Sequence, residues 1–199
     1  METLDILQKY HISNKNNVLN NDYTWANTPD RTNFNLNQSM ERFNTKELIH
    51  AISSMLEGGL IKDNFTVMDL FGGTGAVTYL IKKSFPKCIP ICVDLKYHST
   101  WEEIKNECPD FNFFQINYFE LEKEIIPLNL DLIITFNTFR GWDNEVGPFI
   151  NQNYSKQQFC NWVKNNSNYF ITDRGNVENY FELLPFSFPF NNLKVAYTK

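Results

Sequence analysis

Apolar and polar positions alternate along this chain with two periods, three-to-four residues and two, and the periods take turns. Beyond Asn44, Leu48, Ile49, Ile52, Met55 and Leu56 recur at the steps of one helical face. Asn44 and Glu47 have the spacing of a capping box, and Gly58-Gly59 follows as a stop. A β-branched and apolar run at 66–70 reads as a strand, and Val77, Leu80 and Ile81 begin the next amphipathic helix. Residues 88–93 read as a second strand ending in Asp94; Pro90 within it has no N–H for a ladder, which implies a bulge or an unpaired spot. Ser99 with Glu102 caps a helix that runs to about residue 107, Pro109-Asp110 breaks it, and 111–116 is a third strand. The run 130–136 is the most strand-like stretch. After a loop at 146–153, Ser155 and Gln158 cap a helix with Phe159, Trp162 and Val163 on one face. A fifth strand at 169–172, a helix over 177–184 and a last strand at 193–198 complete the pattern. Strands alternating with helices predict an α/β fold, a mostly parallel central sheet with helices on both faces.

The first 43 residues have a different texture. Leu4, Ile6, Leu7 and Tyr10 suit a short helix, and nine asparagines then fall between Asn14 and Asn37. Asparagine competes with regular backbone pairing, so 1–43 is expected to be a polar, Asn-rich arm and 44–199 the folded domain. Tyr23, Trp25, Phe34 and Phe43 also allow that arm to be a flap that stacks over a site.

Composition narrows the class. A chain of 199 residues, 42% apolar and 16% aromatic, can bury one sizeable core. No apolar run approaches the roughly 20 residues that span a bilayer, so no membrane association is expected. The chain shows no basic-then-apolar signal pattern, and its four cysteines (Cys88, Cys92, Cys108, Cys160) lack C-x-x-C spacing. Free thiols, a cytoplasmic setting and no metal site are the expectation. The net charge of −5 argues against broad nonspecific nucleic-acid binding, while leaving room for a local basic groove or a basic partner subunit.

Candidate chemistry concentrates at 69–78. Gly72, Gly73 and Gly75 sit where a strand passes into a helix. Glycines there let the backbone approach a ligand closely, and the helix N-terminus offers unpaired N–H groups. Three glycines in four residues exceed what a plain turn needs. A dinucleotide fingerprint would want a small residue where Thr78 stands. Asp94, one βα unit further on, suits a ribose hydroxyl pair in either kind of nucleotide cofactor.

The pattern Asp69-x-Phe71-x-Gly73-x-Gly75 resembles motif I of the class I S-adenosylmethionine-dependent methyltransferases, and the phrase Asp-Leu-Phe-Gly-Gly-Thr-Gly-Ala-Val resembles their nucleic-acid amino-methyltransferase branch. The resemblance implies a Rossmann-like class I methyltransferase fold with S-adenosyl-L-methionine as cofactor. Backbone from Phe71 and Gly72 through Gly73 and Gly75 would cradle its methionine part, and Asp69 would order the loop or meet the amino group. Asp94 would hold the ribose, Asn117 the adenine amino group, and Tyr118 would pack against the ring. Phe43 and Thr45 stand where the family has an aromatic-Thr-Pro segment, here without the proline. The family ends in an antiparallel strand pair, for which 186–190 is the candidate mate of the last strand. Its fourth motif, Asp/Asn/Ser-Pro-Pro-aromatic, follows the fourth strand. Here Thr135-Phe-Asn137-Thr-Phe139-Arg140-Gly141-Trp142-Asp143 keeps an asparagine and an aromatic but neither proline. Asn137, Arg140 and Asp143 are the candidates for the reacting side, at the carboxyl end of the sheet.

Three functions are therefore in play: a methyltransferase acting on nucleic acid, a catalytically silent methyltransferase-like subunit that binds cofactor or a partner protein, and an NAD-type oxidoreductase. The missing prolines open the second beside the first, which remains the leading reading. Thr78 and the helix ahead of the first strand count against the third.

Overall fold

The computed structural model describes residues 2–12, 45–136, 156–173, 177–185 and 193–198. Its strands are β1 (Thr66–Leu70), β2 (Ile89–Asp94), β3 (Asn112–Gln115), β4 (Leu130–Thr135), β5 (Ser167–Thr172), β6 (Glu182–Leu183) and β7 (Lys194–Tyr197). They form one sheet in the order β3-β2-β1-β4-β5-β7-β6. β1 to β5 are parallel, and β7 runs antiparallel to both β5 and β6. The expected mostly parallel sheet, covered on both faces, is what the chain builds. Strand order reverses at β1, whose neighbours are β2 and β4. Ligands of open α/β sheets bind beyond the carboxyl ends at such a switch point.

Side chains alternate across the sheet with the strand period. Met68 and Leu70 of β1 face one core, with Phe159, Trp162 and Val163 of α6 (Lys156–Asn166) and Tyr118 and Leu121 of α5 (Tyr118–Leu121). Val67 faces the other, with Leu48, Ile52 and Met55 of α2 (Thr45–Glu57) and Val77 and Ile81 of α3 (Ala76–Ser84). A smaller cluster joins Tyr79, Cys92 and Phe113 to Trp101 and Ile104 of α4 (Thr100–Glu107). The Gly58-Gly59 stop works as its chemistry predicts. Gly59 takes φ +68°, and the N–H groups of Gly59 and Leu60 return to the carbonyls of Leu56 and Met55 at 3.0 and 2.9 Å.

The first helix, α1 (Thr3–Tyr10), is part of the first core rather than an appendage to it, for Ile6 and Leu7 are fully buried there. Lys9 Nζ and Tyr10 Oη both donate to Glu124 Oε2, at 2.8 and 3.1 Å. The Lys9 ammonium and the Ile126 N–H hold the Glu124 carboxyl down at about 2, so this clasp stays charged until strongly acidic pH. The Asn-rich stretch after Ile12, like Asn44 and Ser155, lies outside the described residues.

Two expectations are corrected, and at Pro90 the unpaired spot rather than a bulge is what forms. Ser99 does not cap α4: its backbone is already helical and its side chain makes no cap bond, while Glu102 accepts from the Tyr97 hydroxyl. Residues 177–184 are not a helix. Tyr180 and Phe181 close a turn on the Val177 carbonyl, Val177 and Phe181 bury their side chains, and Glu182–Leu183 then pairs with β7. The i, i+4 spacing of the two buried residues imitates a helix, but cross-strand pairing decides the outcome. The described mate of β7 is therefore β6; 186–190 lies outside the described residues. Pro90 causes no bulge. The β1–β2 register runs unbroken from Thr66↔Ile89 to Leu70↔Val93, and β3 joins only from Ile91↔Asn112, so the missing N–H falls ahead of β3. The Pro90 carbonyl takes Asn112 Nδ2 at 3.1 Å.

If α1 folds with the domain, Leu7→Ala should cost roughly 2–5 kcal/mol in chemical denaturation, as a fully buried leucine does. A loss below about 0.5 kcal/mol would mean that α1 is only loosely docked.

Candidate functional site

The turn from β1 into α3 is built from residues that each have a reason to be there. Phe71 has φ +67°, uncommon for a side chain of its size, and Gly73 and Gly75 have φ +54° and +78°. The Gly72 N–H donates to the Val93 carbonyl at 3.0 Å, extending the β1–β2 ladder past the strand end. A Cβ on Gly72 would stand 2.6 Å from Cys92 Sγ and 3.0 Å from Asp69 Cγ; one on Gly75 would stand 2.8 Å from the Phe113 ring. Gly72 and Gly75 are thus pressed against the fold. Gly73 is different: among the described residues nothing lies within 4 Å of its Cβ position. Its backbone is the part of the loop open to a ligand.

Asp94 closes the loop from the end of β2. Its Oδ2 accepts the Gly73 N–H and its Oδ1 the Lys96 N–H, each at 2.9 Å, with His98 Nε2 3.9 Å from Oδ1. Burial alone would raise its pKa, but His98 and the two N–H groups outweigh burial and hold the carboxyl below the usual carboxylate range. An ionised carboxylate with lone pairs to spare therefore stands beside the open Gly73.

Asp69 lies beneath the loop. It is 2% exposed, and its Oδ2 accepts from the Thr78 hydroxyl at 2.7 Å. Burial, aided by the charge of Asp94, pushes its pKa up to about 7 against the pull of the Thr78 bond. Thr78 therefore stands in the third fingerprint place for a reason of its own, because it supplies the hydrogen bond that a buried carboxyl requires.

α4 braces the loop from behind. The Thr100 hydroxyl donates to the Thr74 carbonyl at 2.7 Å and Trp101 Nε1 to the Gly73 carbonyl at 2.9 Å. The Trp101 ring stacks on Phe113 with centroids 4.9 Å apart. Sequence reasoning missed both braces. Their trace in the chain is the Thr-Trp pair inside the Ser99–Glu102 pattern, which reads as a helix start.

At the end of β3, Asn117 caps α5 by accepting the Phe119 N–H at 3.1 Å, and Tyr118 is buried against Phe71, Phe159 and Trp162. The parallel sheet thus gathers Phe71, Gly72, Gly73, Gly75 and Asp94 around one loop, with Asn117 and Tyr118 at the next strand end along. Thr45 opens α2 and is buried. Asn137, Arg140, Asp143 and Phe43 lie outside the described residues. Among the described residues, two buried side-chain oxygens have no hydrogen-bond partner, Glu47 Oε2 and Thr135 Oγ1. Thr135 ends β4, at this end of the sheet. Among the described residues, no cluster of His, Cys, Asp or Glu could hold a metal, and no helix is long and apolar enough to cross a membrane.

No family model and no curated protein sequence matches this chain. Solved structures do. Monomeric WbdD is similar with a TM-score of 0.54 at 13% identity, over 83% of this chain and 42% of that one. A SAM-dependent methyltransferase from Aquifex aeolicus gives 0.48 at 16% identity, over 82% of this chain and 97% of that one. A probable spermidine synthase from Corynebacterium glutamicum gives 0.47 at 12%, over 64% and 46%. The chain spans less than half the length of WbdD and of that synthase. The likeness is one of fold: this is a Rossmann-like fold of the class I methyltransferase type, with its seven strands in the order given above.

The folded pKa of Asp69, about 7, lies above its ordinary 3.8, so its contribution to stability is complete below about pH 4 and is lost as pH rises toward 7. Asp69→Asn, which stays neutral, should lack this decline. Relative to wild type the variant should gain on the order of a few kcal/mol between about pH 4 and 8 in denaturation series. Parallel pH curves for the two proteins would contradict the assignment.

Proposed function

We propose that this protein is an S-adenosylmethionine-dependent methyltransferase and that its acceptor is an amino group of a nucleic acid. One observation carries the reading: an open, left-handed Gly73 lies next to an ionised Asp94 at the switch point of the sheet. The residues fit the cofactor. Gly73 leaves room for an amino-acid moiety against bare backbone, and Asp94 retains lone pairs for a ribose hydroxyl pair. Asn117 is the proposed adenine contact; Tyr118, 3% exposed in the first core, is not offered to the ring. The Asp-Leu-Phe-Gly-Gly-Thr-Gly phrase and Asn137 with its aromatic neighbour support an amino acceptor on nucleic acid.

When bound, the cofactor supplies a methyl group on a sulfonium, an electrophile that needs alignment more than activation. The protein's part is positioning. Gly72 and Gly75, pressed into the fold, hold the loop at one height; Thr100 and Trp101 hold its carbonyls away from the open side. Asp94 orients the nucleoside end. Asn137, with Arg140 and Asp143, is proposed to hold the acceptor so that its lone pair points at the methyl carbon.

One observation favours a second reading. Neither proline of the family's fourth motif follows Asn137, so a catalytically silent subunit that binds cofactor and serves a partner protein is the alternative.

Calorimetric titration with S-adenosylhomocysteine, with NADH alongside, tests the reading. Micromolar binding of the first and none of the second is expected. Gly73→Ala should stay folded at a cost of about 1 kcal/mol, because of its positive φ, yet weaken binding more than roughly tenfold by filling the open side. Labelled methyl should pass from the cofactor to a nucleic-acid pool with wild type and not with Asn137→Ala. Binding without transfer to any acceptor would move the protein to the silent reading; binding of NADH alone would overturn both.

A further inference from the structure

The free edge of the sheet is occupied by the chain's own N-terminal segment. In a parallel pair alternate residues face the neighbouring strand. The Ile116 N–H goes inward to the Asp94 carbonyl at 2.8 Å, so Gln115 turns its backbone groups outward. Both are taken by the residues that follow α1. The Ile12 N–H donates to the Gln115 carbonyl at 2.8 Å, and the Gln115 N–H donates to His11 Nδ1 at 3.0 Å.

The second bond dictates a protonation state. A backbone N–H can only donate, so Nδ1 must carry a lone pair and the imidazole must be neutral, with its proton on Nε2. Protonating Nδ1 would set two donors head to head. The ring is half-buried and stands edge-on to Phe114, with centroids 5.9 Å apart. Between this segment and α4 lies a cleft of about 160 Å³, walled by His11, Ile12, Tyr97, Trp101, Lys105 and Gln115.

We propose that His11 is a proton-sensitive latch: the neutral imidazole holds the N-terminal segment on the edge of β3, and protonation releases it, opening the cleft. The groups around the ring set the direction. Lys105 and Glu102 face the cleft from α4 and Tyr97 from the segment before it; on the ring's own side Lys9 and Tyr10 are turned to Glu124. Burial first and the Lys105 charge second hold the imidazole below its ordinary value. The latch is therefore fully closed above about pH 6.5 and is lost as pH falls through the lower, folded value.

Amide hydrogen exchange at Gln115, read by NMR, tests this without any ligand and so stands apart from the methyl-transfer reading. In wild type the protection of the Gln115 N–H, corrected for the intrinsic pH dependence of exchange, should fall roughly tenfold per pH unit once the imidazole begins to protonate. In His11→Asn the side-chain oxygen is an acceptor at every pH, so protection should persist through the same range. In wild type at about pH 7.5 the ring nitrogen shifts should show Nε2 protonated and Nδ1 bare. Equal protection at about pH 5 and 7.5 in wild type, an acid-induced loss in His11→Asn as large as in wild type, or a proton on Nδ1 at about pH 7.5 would each overturn the latch.

Discussion

Where β1 ends, the chain must cross directly over a buried carboxyl, and the rest of the site follows from that crossing. Asp69 is covered and has, among the described residues, one side-chain partner, Thr78, from the helix that the crossing begins. Gly72 lies so close above it and Cys92 that no Cβ fits. A side chain at 72 would lift the loop, break the Gly72–Val93 bond and separate Asp69 from Thr78. The loop has one height available to it, and that height leaves the Gly73 backbone open.

Neighbouring strands then fix the loop sideways. Asp94 ties the Gly73 N–H to the end of β2, and Trp101 ties the Gly73 carbonyl to α4, so both backbone polar groups of that one residue are held. Trp101 rests on Phe113 of β3, and a Cβ at Gly75 would strike the same ring. Three elements, β2, α4 and β3, thus converge on the five residues of the loop. A rigid, pre-formed cradle of this kind suits a reaction whose difficulty lies in alignment, because little of the ligand's binding energy is consumed in ordering the protein.

Much of this was legible in the chain. Strands at 66–70 and 130–136 announce themselves by apolar, β-branched runs, and the glycines by their position between a strand and an amphipathic helix. Asp94 was legible because a parallel sheet brings successive strand ends to one side. What escaped depends on distance in the fold. Thr78 looked like a defect in a fingerprint until the buried Asp69 gave its hydroxyl a partner. Thr100 and Trp101 looked like the start of a helix, since nothing local says that their donors reach the loop's carbonyls. Val177 and Phe181 carry a helical spacing, and only pairing with β7, more than ten residues downstream, makes a strand of Glu182–Leu183. α1 was visible as a helix, but its fully buried Ile6 and Leu7 could not be read from a segment that leads into asparagines.

The Gly73–Asp94 pair is proposed as the seat of a nucleoside-bearing methyl donor. A crystal structure of the protein with S-adenosylhomocysteine decides this. The ribose hydroxyls are expected on the Asp94 carboxylate and the amino-acid end against the Gly73 backbone, with Asp69 still beneath the loop on Thr78. A ligand bound elsewhere on the sheet, or a loop whose Gly73 side stays closed to it at saturating concentration, would contradict it.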